Sequence, residues 1–553
     1  MPKEEYSPAA QKLLHYMMSH PFDRVSLLTH LPPQTKATLQ SMYSRNDLPM
    51  RATLLKIIVT VDLELERNKR KFDEVTQAEK EAVFEMFAQT IPDADPPLVH
   101  LFDKKAESFL DQWAVKHGHG SIKEGAFTSY IVEGVTLITA KALEHDPLFH
   151  GQELSTRYKS FAKQRVPIPP VLDKSPLAGE LRAYFERSLQ DYLEASRIMN
   201  EFQATAFPAP EGISPAGWKQ VLGAETFDNA RYYLNAGITT SLGIVEDART
   251  LERKLRNLLV FPFPETRDVA QEILEKGRTE LTTLLKHVDP NEYKKNAEEQ
   301  LALERETVMK GARHTILPTR DVALLHATPD LENRMIADLL YGEARHGFAW
   351  ADVYSRVQRL SADDKKQILE RAFEKLGKHD DPLSTLRGTR LAFELYPDFG
   401  AWRDIERHRR CNQSFPLPTC DYGYNTPWLV GEAGLAQHYK DHMERAADVF
   451  EKARKVCPEE AVIVPALGFK VKQTIDGDID EWVYIWRLRT TPYGHFSYRK
   501  IFQETFRAAK PHIPLLADII ERKQLIDMNG YHHGRLVEEQ RFEAKMKLRE
   551  GNS

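Results

Sequence analysis

Apolar residues recur at three- and four-residue spacing along several long stretches of this chain, which is the pattern of helices with one buried face. A proline that follows a serine, as in Ser175-Pro176, is typical of a helix start. A further stretch, Lys294–Arg305, is charged and indicates a solvated helix. The spacing predicts four main helices, at Ser175–Asn200, Arg267–His287, Asp364–Leu376 and Glu432–Val456.

Shorter apolar runs predict strands. They lie at Phe127–Val132, Leu391–Leu395, Val462–Lys472 and Tyr484–Leu488. Because no GxGxxG motif or P-loop opens a helix after any of these strands, the pattern favours an α+β fold over a doubly wound one.

Two similar openings along the chain indicate an internal duplication. Phe22–His30 and Thr319–Ala327 are each a short apolar run that leads into a turn with proline and then a helical pattern. We therefore expect two tandem domains, each a mixed sheet with long packed helices. The expected boundaries are 1–21 for an extension, 22–292 for copy one, 293–318 for a helical linker, 319–530 for copy two and 531–553 for a charged tail.

Composition places the chain among ordinary globular proteins. Of its 553 residues 42% are hydrophobic and 28% are charged, and the formal net charge is −5. Neither a general nucleic-acid binder nor a membrane protein is expected, because the charge is small and long apolar runs are missing. Three cysteines fit a reducing cytoplasm, and their spacing gives no zinc motif.

Two segments far apart in the chain suit anion recognition. In the first, Glu153, Ser155 and Arg157 stand at alternate positions, so an extended backbone would aim all three side chains one way. In the second, the run Arg407-His408-Arg409 offers forked donors for phosphate or carbonyl oxygens and an imidazole that can stack or change its charge. Together they predict a site for a nucleotide and a second planar anionic ligand.

Weaker signals accompany these segments. His119 and Ser121 belong to a His-Gly-Ser turn before a predicted strand, which can present amides to a phosphate. Arg231 and Arg249 each follow an alanine. Each of these residues, taken alone, has an ordinary alternative as a turn residue or a surface arginine.

In this order the motifs resemble the flavin-dependent thymidylate synthases, whose signature is Arg-His-Arg followed closely by Ser-x-Asn-Glu-x-Ser-x-Arg-Tyr. Copy one carries the glutamate, serine, arginine and tyrosine of this pattern, but reads Glu144-His145-Asp146 in place of Arg-His-Arg. Copy two carries Arg407-His408-Arg409 without a Glu-x-Ser-x-Arg, and Asp404 stands where the family has glutamine. Arg489 resembles the arginine of the family's terminal Leu-Arg, where copy one has Leu258.

The two copies thus look degenerate in complementary ways. The family forms homotetramers whose nucleotide site is shared between subunits. The resemblance therefore implies one composite site built from both copies, and a homodimer of this chain that imitates the tetramer.

The activity implied by the resemblance is reductive methylation of dUMP at C5. Methylenetetrahydrofolate would supply the carbon, and FAD reduced by NADPH the hydride. The implied catalytic residues are Arg157, Ser155 and Arg407. The implied substrate-binding residues are Glu153, Ser155, Arg157, Arg231, Arg407 and Arg489, and those for FAD are His119, Ser121, Arg249, His408 and Arg409. No metal is implied.

Two other interpretations remain. Substituted signature residues and the extra segments 176–228 and 411–445 also suit a flavin- or nucleotide-binding descendant without thymidylate synthase activity, which acts on another pyrimidine or regulates. A helical scaffold with fortuitous motifs is the third.

Overall fold

The computed structural model describes 14 stretches of the chain. They are 6–18, 21–22, 29–36, 38, 50–65, 68–91, 109–112, 120–157, 160–209, 213–312, 320–342, 347–377, 380–492 and 494–529. Most of the predicted opening run Phe22–His30 and the residues His119 and Tyr158 lie outside them.

Helices dominate the described chain. The first nine are α1 Pro8–Met17, α2 Met50–Asp62, α3 Gln77–Thr90, α4 Leu137–Glu144, α5 Pro170–Asp173, α6 Ala178–Ala206, α7 Pro215–Ala230, α8 Ala248–Leu258 and α9 Pro264–Glu280. They continue with α10 Glu292–Val308, α11 Leu331–Tyr341, α12 Trp350–Gln358, α13 Ala362–Phe373, α14 Phe399–Ile405 and α15 Trp428–Glu432. The last are α16 Ala436–Val456, α17 Pro458–Ala461, α18 Ile479–Arg489, α19 Phe496–Ala509 and α20 Pro514–Arg522. The four predicted main helices and the charged helix α10 are confirmed, and none of the helices described is long and apolar enough to span a bilayer.

Seven strands form two small sheets. They are β1 Phe127–Thr136, β2 His150–Glu153, β3 Thr239–Asp247, β4 Val322–Ala327, β5 Arg390–Leu395, β6 Asn412–Gln413 and β7 Gln473–Asp478. The first sheet has the order β1-β3-β2 and the second β4-β5-β7-β6. The α+β class is confirmed, but both sheets are antiparallel, so the expected mixed sheets are wrong.

Two predicted strands are wrong. Val462–Lys472 contains Pro465 and Gly468 and forms turns and isolated bridges before β7 begins at Gln473. Its apolar character reflects complete burial rather than strand pairing. Tyr484–Leu488 belongs to α18, where Trp482 and Trp486 stand four residues apart and are both fully buried, so the helical period outweighs the local preference of aromatic residues for strands.

The predicted start of α6 is also displaced. The Ser175 hydroxyl donates to the Leu172 carbonyl at 2.7 Å and accepts from the Leu177 amide, which closes the turn after α5. The helix itself begins at Ala178.

The described chain divides into two units by packing. Unit one comprises 1–132, 148–152 and 243–308, and unit two comprises 133–147, 153–242 and 309–553. Unit one has a core of apolar side chains from α1, α2 and α3. Unit two has a larger core around β5, β7, α18 and α19. The domain boundaries expected from the sequence stay a prediction.

The order of elements repeats along the chain. Strand, short helix, strand, long helix, strand and helix occur as β1-α4-β2-α6-β3-α8 and again as β5-α14-β6-α16-β7-α18. Within each sheet the third strand of the series lies between the other two. The segments just before β3 and β7 pair antiparallel through Asn235 and Ala466. Equivalent segments that pair in opposite directions are expected where two copies are related by a two-fold rotation.

Candidate functional site

Two equivalent short helices carry cations towards the same carboxylate in unit two. Thr136 caps α4 and Asp398 caps α14, each by accepting from an amide three residues on. Lys141 and Arg403 each stand five positions after their cap. Both side chains reach Glu153, Lys141 Nζ at 3.0 Å and Arg403 Nη2 at 2.8 Å. The sequence aligns Glu144-His145-Asp146 with Arg407-His408-Arg409. In the structure His145 is the counterpart of Arg407, because each stands nine positions after its helix cap, so the alignment shifts by one residue.

The carboxylates around these cations are buried. Lys141 also forms ion pairs with Glu144 and, at 3.6 Å, with Glu406. Burial would raise the pKa of Glu153, but Arg403 and Lys141 lower it to about 2. Burial raises the pKa of Glu144. Glu153 is thus held ionised at the centre of a charged cluster that joins α4 to α14.

Arg157 is fixed beside this cluster by an acid from the extra segment 176–228. Its Nε and Nη2 donate to the two carboxylate oxygens of Asp228 at 2.8 and 2.9 Å. A bidentate pair of this kind sets the plane of the guanidinium as well as its position. The ring of Tyr498 lies under Arg157 and Arg489, with its centroid 6.0 and 5.2 Å from their guanidinium carbons.

Arg231 is buried without a full set of partners. It is only 2% exposed, and its Nη1 donates to the Thr156 hydroxyl at 3.4 Å. Among the residues that the structure describes, its Nε and Nη2 have no hydrogen-bond partner, and the same is true of Asp404 Oδ2, which lies 3.8 Å from Nη2. Buried donors and acceptors of this kind are normally satisfied, so unpaired ones indicate the place of a ligand.

Two acceptors from the segment 404–408 hold the side chain of Arg489 in place. Its Nε donates to His408 Nε2 at 2.7 Å and its Nη2 to the Asp404 carbonyl at 2.8 Å. Burial and then Arg489 hold the pKa of His408 well below its usual value, so the ring is a neutral acceptor. Arg489 stands eleven positions after Asp478, and Leu258 stands eleven positions after the equivalent cap Asp247.

The other site residues predicted in unit two lie in the same segments as these arginines, and their side chains range from exposed to buried. The Ser155 hydroxyl accepts from the Arg157 amide at 3.2 Å, so it shapes the turn that carries Arg157. Arg407 is exposed and Arg409 half-buried. His408 is 3% exposed and packs against Tyr484 and Phe502. Its place in a cofactor site stays a prediction, and its observed contact is with Arg489.

The remaining predicted cofactor residues belong to unit one. Ser121 is exposed, and Arg249 forms an ion pair with Glu124. Arg249 lines a cleft of about 860 Å³ together with Arg253 and Arg256, which follow it at one and two turns of α8. In the described parts of the chain no group of three or more His, Cys, Asp or Glu side chains is arranged to hold a metal ion.

Sequence reasoning missed several residues of the site. Asp228, Thr156, Tyr498 and His495 all contact or face the arginines, and His495 stacks on Tyr232 with an angle of 4° between the rings. Asp228 has a signal in the sequence, since an acid three positions before Arg231 stands on the same face of a helix. Tyr498 and His495 have none, because they reach the site only through the packing of α19.

The comparisons with known proteins bear on the same region. Residues 67–281 match the family model described as thymidylate synthase complementing protein. Over these residues the resemblance to the flavin-dependent thymidylate synthases is confirmed. The matched segment contains Glu153, Ser155, Arg157, Arg231 and Arg249, and the run Arg407-His408-Arg409 lies outside it.

Relatives extend over both copies. A UPF0159 protein of Chlamydia pneumoniae is 23% identical over 98% of this chain and 99% of its own length. One from Chlamydia muridarum (strain MoPn / Nigg) is 23% identical with the same coverage. One from Thermoplasma acidophilum is 22% identical over 80% of this chain and 93% of its own length.

Proposed function

We propose that this protein is a flavin-dependent thymidylate synthase-like enzyme that methylates dUMP at C5 in a composite site of unit two. The observation that carries the proposal is Arg231, which is buried and has two unpaired donors beside Arg157 and Arg489. Four guanidinium groups, including that of Arg407, face two carboxylates there. An excess of preorganised positive charge suits a phosphate and a pyrimidine carbonyl.

Each residue would act by position and charge, since the reaction needs no protein nucleophile. Arg157, Arg231 and Arg407 would hold the phosphate and polarise the uracil carbonyl that gains charge when C5 attacks the methylene carbon. Arg489 would add a donor from copy two. Ser155 would shape the turn that carries Arg157 and so orient the sugar. Glu153 would hold Arg403, and with it the segment of copy two, at a fixed distance from the segment of copy one.

A cleft of unit one suits part of the proposed cofactor. The cleft lined by Arg249, Arg253 and Arg256 has the volume and the donors for the pyrophosphate of a dinucleotide. Of the other residues proposed for FAD, Ser121 belongs to unit one, His408 and Arg409 belong to unit two, and His119 lies outside the described residues. Reduced flavin would supply the hydride, with NADPH as its reductant and methylenetetrahydrofolate as the one-carbon donor. The protein's own part is to bind and to exclude water.

A homodimer is proposed as the working form. The family's sites are shared between subunits, and this chain already supplies both half-motifs from one polypeptide. Two chains would then provide the four copies of a tetramer.

The proposal is tested with purified full-length protein. A flavin absorption spectrum that shifts when dUMP is added, and that bleaches with NADPH under nitrogen, supports it. The Arg231→Ala variant should lose the dUMP-induced shift and keep the flavin spectrum. Arg359→Ala is the matched control, because Arg359 is exposed and bonds only to Ser355 of its own helix turn. Protein that takes up neither FAD nor dUMP contradicts the proposal.

A second candidate is a descendant that binds flavin and nucleotide and acts on another pyrimidine. Asp404, which stands in the arginine pocket where the family has glutamine, favours it. Methylation of a different pyrimidine nucleotide with dUMP left unchanged would identify this case.

A further inference from the structure

A carboxylate occupies the middle of the arginine pocket. Asp404 is 6% exposed, and it is surrounded by the charges of Arg157, Arg231, Arg489 and Arg407. Despite these cations, Oδ2 has no hydrogen-bond partner within the described part of the chain.

The pocket therefore holds hydrogen-bond donors and a hydrogen-bond acceptor side by side that no described residue satisfies. Arg231 Nε and Nη2 can only donate, and Asp404 Oδ2, as long as it is ionised, can only accept. Arg231 Nη2 and Asp404 Oδ2 are 3.8 Å apart, which is beyond a direct hydrogen bond. A ligand that satisfies both must present an acceptor and a donor on neighbouring atoms.

Charge states around Asp404 are fixed across the neutral range. Burial would raise the pKa of Asp404, but the four arginines hold it well below its usual value. Burial, then Arg231, lowers the pKa of His495 to about 3, and His408 is also kept neutral. The charged and titratable groups that face Asp404 are Arg157, Arg231, Arg403, Arg407, Arg489, His408 and His495. Asp404 is therefore ionised and both histidines are neutral between pH 5.5 and 7.5, and arginine side chains as a class stay charged in this range.

We propose that Asp404 determines specificity for the singly protonated form of a phosphate monoester, whose P–OH donates to Asp404 Oδ2 while its charged oxygen accepts from Arg231. This rests on the proposed function of the same pocket. The ligand keeps its proton, and no bond is made or broken. A fully ionised phosphate has only acceptors and would place one of them against the carboxylate.

The pH dependence of binding follows from the ligand alone. A phosphate monoester loses its second proton with a pKa of about 6. If the monoanion binds, affinity for dUMP falls about 25-fold between pH 5.5 and 7.5, because the monoanion is depleted. If the dianion binds, affinity rises about fourfold over the same range. The two cases differ in sign.

The first experiment is calorimetric titration of the wild-type full chain with dUMP at constant ionic strength from pH 5.5 to 7.5. Inorganic phosphate and inorganic sulfate are the comparison ligands, since sulfate stays doubly charged throughout. Weaker dUMP binding as pH rises, with sulfate at least tenfold weaker than phosphate at pH 5.5, supports the proposal. Tighter binding as pH rises, or equal binding of sulfate, overturns it.

Paired variants locate the effect. Asp404→Asn should reverse the sign of the pH dependence and admit sulfate, because an amide can donate to an ionised oxygen. Asp228→Asn makes the same change of charge on the other carboxylate of the pocket, and it should keep the wild-type sign. A wild-type sign in Asp404→Asn overturns the proposal.

Failure of the proposal can be told from failure of the proposed function. Phosphate that binds at least tenfold more tightly than sulfate, while dUMP does not bind at any pH, rejects the nucleotide and supports the role of Asp404, because inorganic phosphate keeps a P–OH group over this pH range. If dUMP binds more tightly at high pH, the function stands and the inference is overturned. If neither ligand binds at any pH, both are overturned.

Discussion

Glu153 and Arg403 are 250 positions apart in the chain, and their side chains meet at 2.8 Å in the buried centre of unit two. Glu153 belongs to the segment with Glu-x-Ser-x-Arg, and Arg403 lies four residues before Arg-His-Arg. Their contact makes the two half-motifs parts of one site. Thr156 strengthens the link, since its hydroxyl accepts from Arg403 at 3.0 Å and from Arg231 at 3.4 Å.

Removal of the central carboxylate should destabilise the chain. Glu153→Ala leaves Lys141 and Arg403 without their shared partner in a buried place, which costs about 3–5 kcal/mol of unfolding free energy. Urea denaturation followed by circular dichroism measures it. Glu201→Ala is the control, because Glu201 forms an exposed ion pair with Arg197 and its loss should cost about 0–1 kcal/mol. Equal losses in the two variants would contradict the buried cluster.

The same carboxylate should make stability depend on pH in acid. Its pKa is about 2 in the folded chain and has the ordinary value of 4.5 when unfolded. The unfolded state therefore takes up the proton first, so the contribution of Glu153 is complete above pH 4.5 and is lost as pH falls towards 2. Melting temperatures from pH 6 to pH 3 should fall less steeply in Glu153→Gln than in wild type. Parallel curves would count against this assignment.

Arg231 should carry a large share of anion affinity. Its unpaired donors are buried, so Arg231→Ala should weaken binding of dUMP by about 2–5 kcal/mol, at least thirtyfold in Kd. Isothermal titration at pH 6 measures the change, and a thermal melt checks the fold. Arg359→Ala should leave Kd unchanged.

Arg489 should distinguish the two copies. Arg489→Leu gives α18 the residue that α8 has at the equivalent position, and it removes the donors that reach His408 and the Asp404 carbonyl. We expect dUMP affinity to fall about tenfold or more, as for the loss of a charged hydrogen-bond donor. The reciprocal Leu258→Arg is the control and should not raise affinity or the number of sites per chain. A Kd that Arg489→Leu leaves unchanged would remove Arg489 from the site.

The spacing of apolar residues was sufficient to predict the helices and strands that bury only one face. The four long helices show apolar residues at helical spacing, and the segments that became β1 and β5 are short apolar runs. It was misleading for two segments. Residues 462–469 are all buried, and such a run has no period from which to distinguish helix, strand and turn. Tyr484–Leu488 is only part of a helix, and its five residues are too few to show the helical period by themselves.

The sequence by itself determined which residue types are present in each half-motif and their order along the chain, and hence the resemblance to a family that acts on a nucleotide. Only the tertiary structure decided that Glu153 lies against Arg403, that Asp228 clamps Arg157, and that Asp404 lies among arginines with an Oδ2 that no described residue hydrogen-bonds. The physical reason is that motif order is a local property, whereas the partner of a buried charge depends on the packing of helices and strands that are distant in the chain.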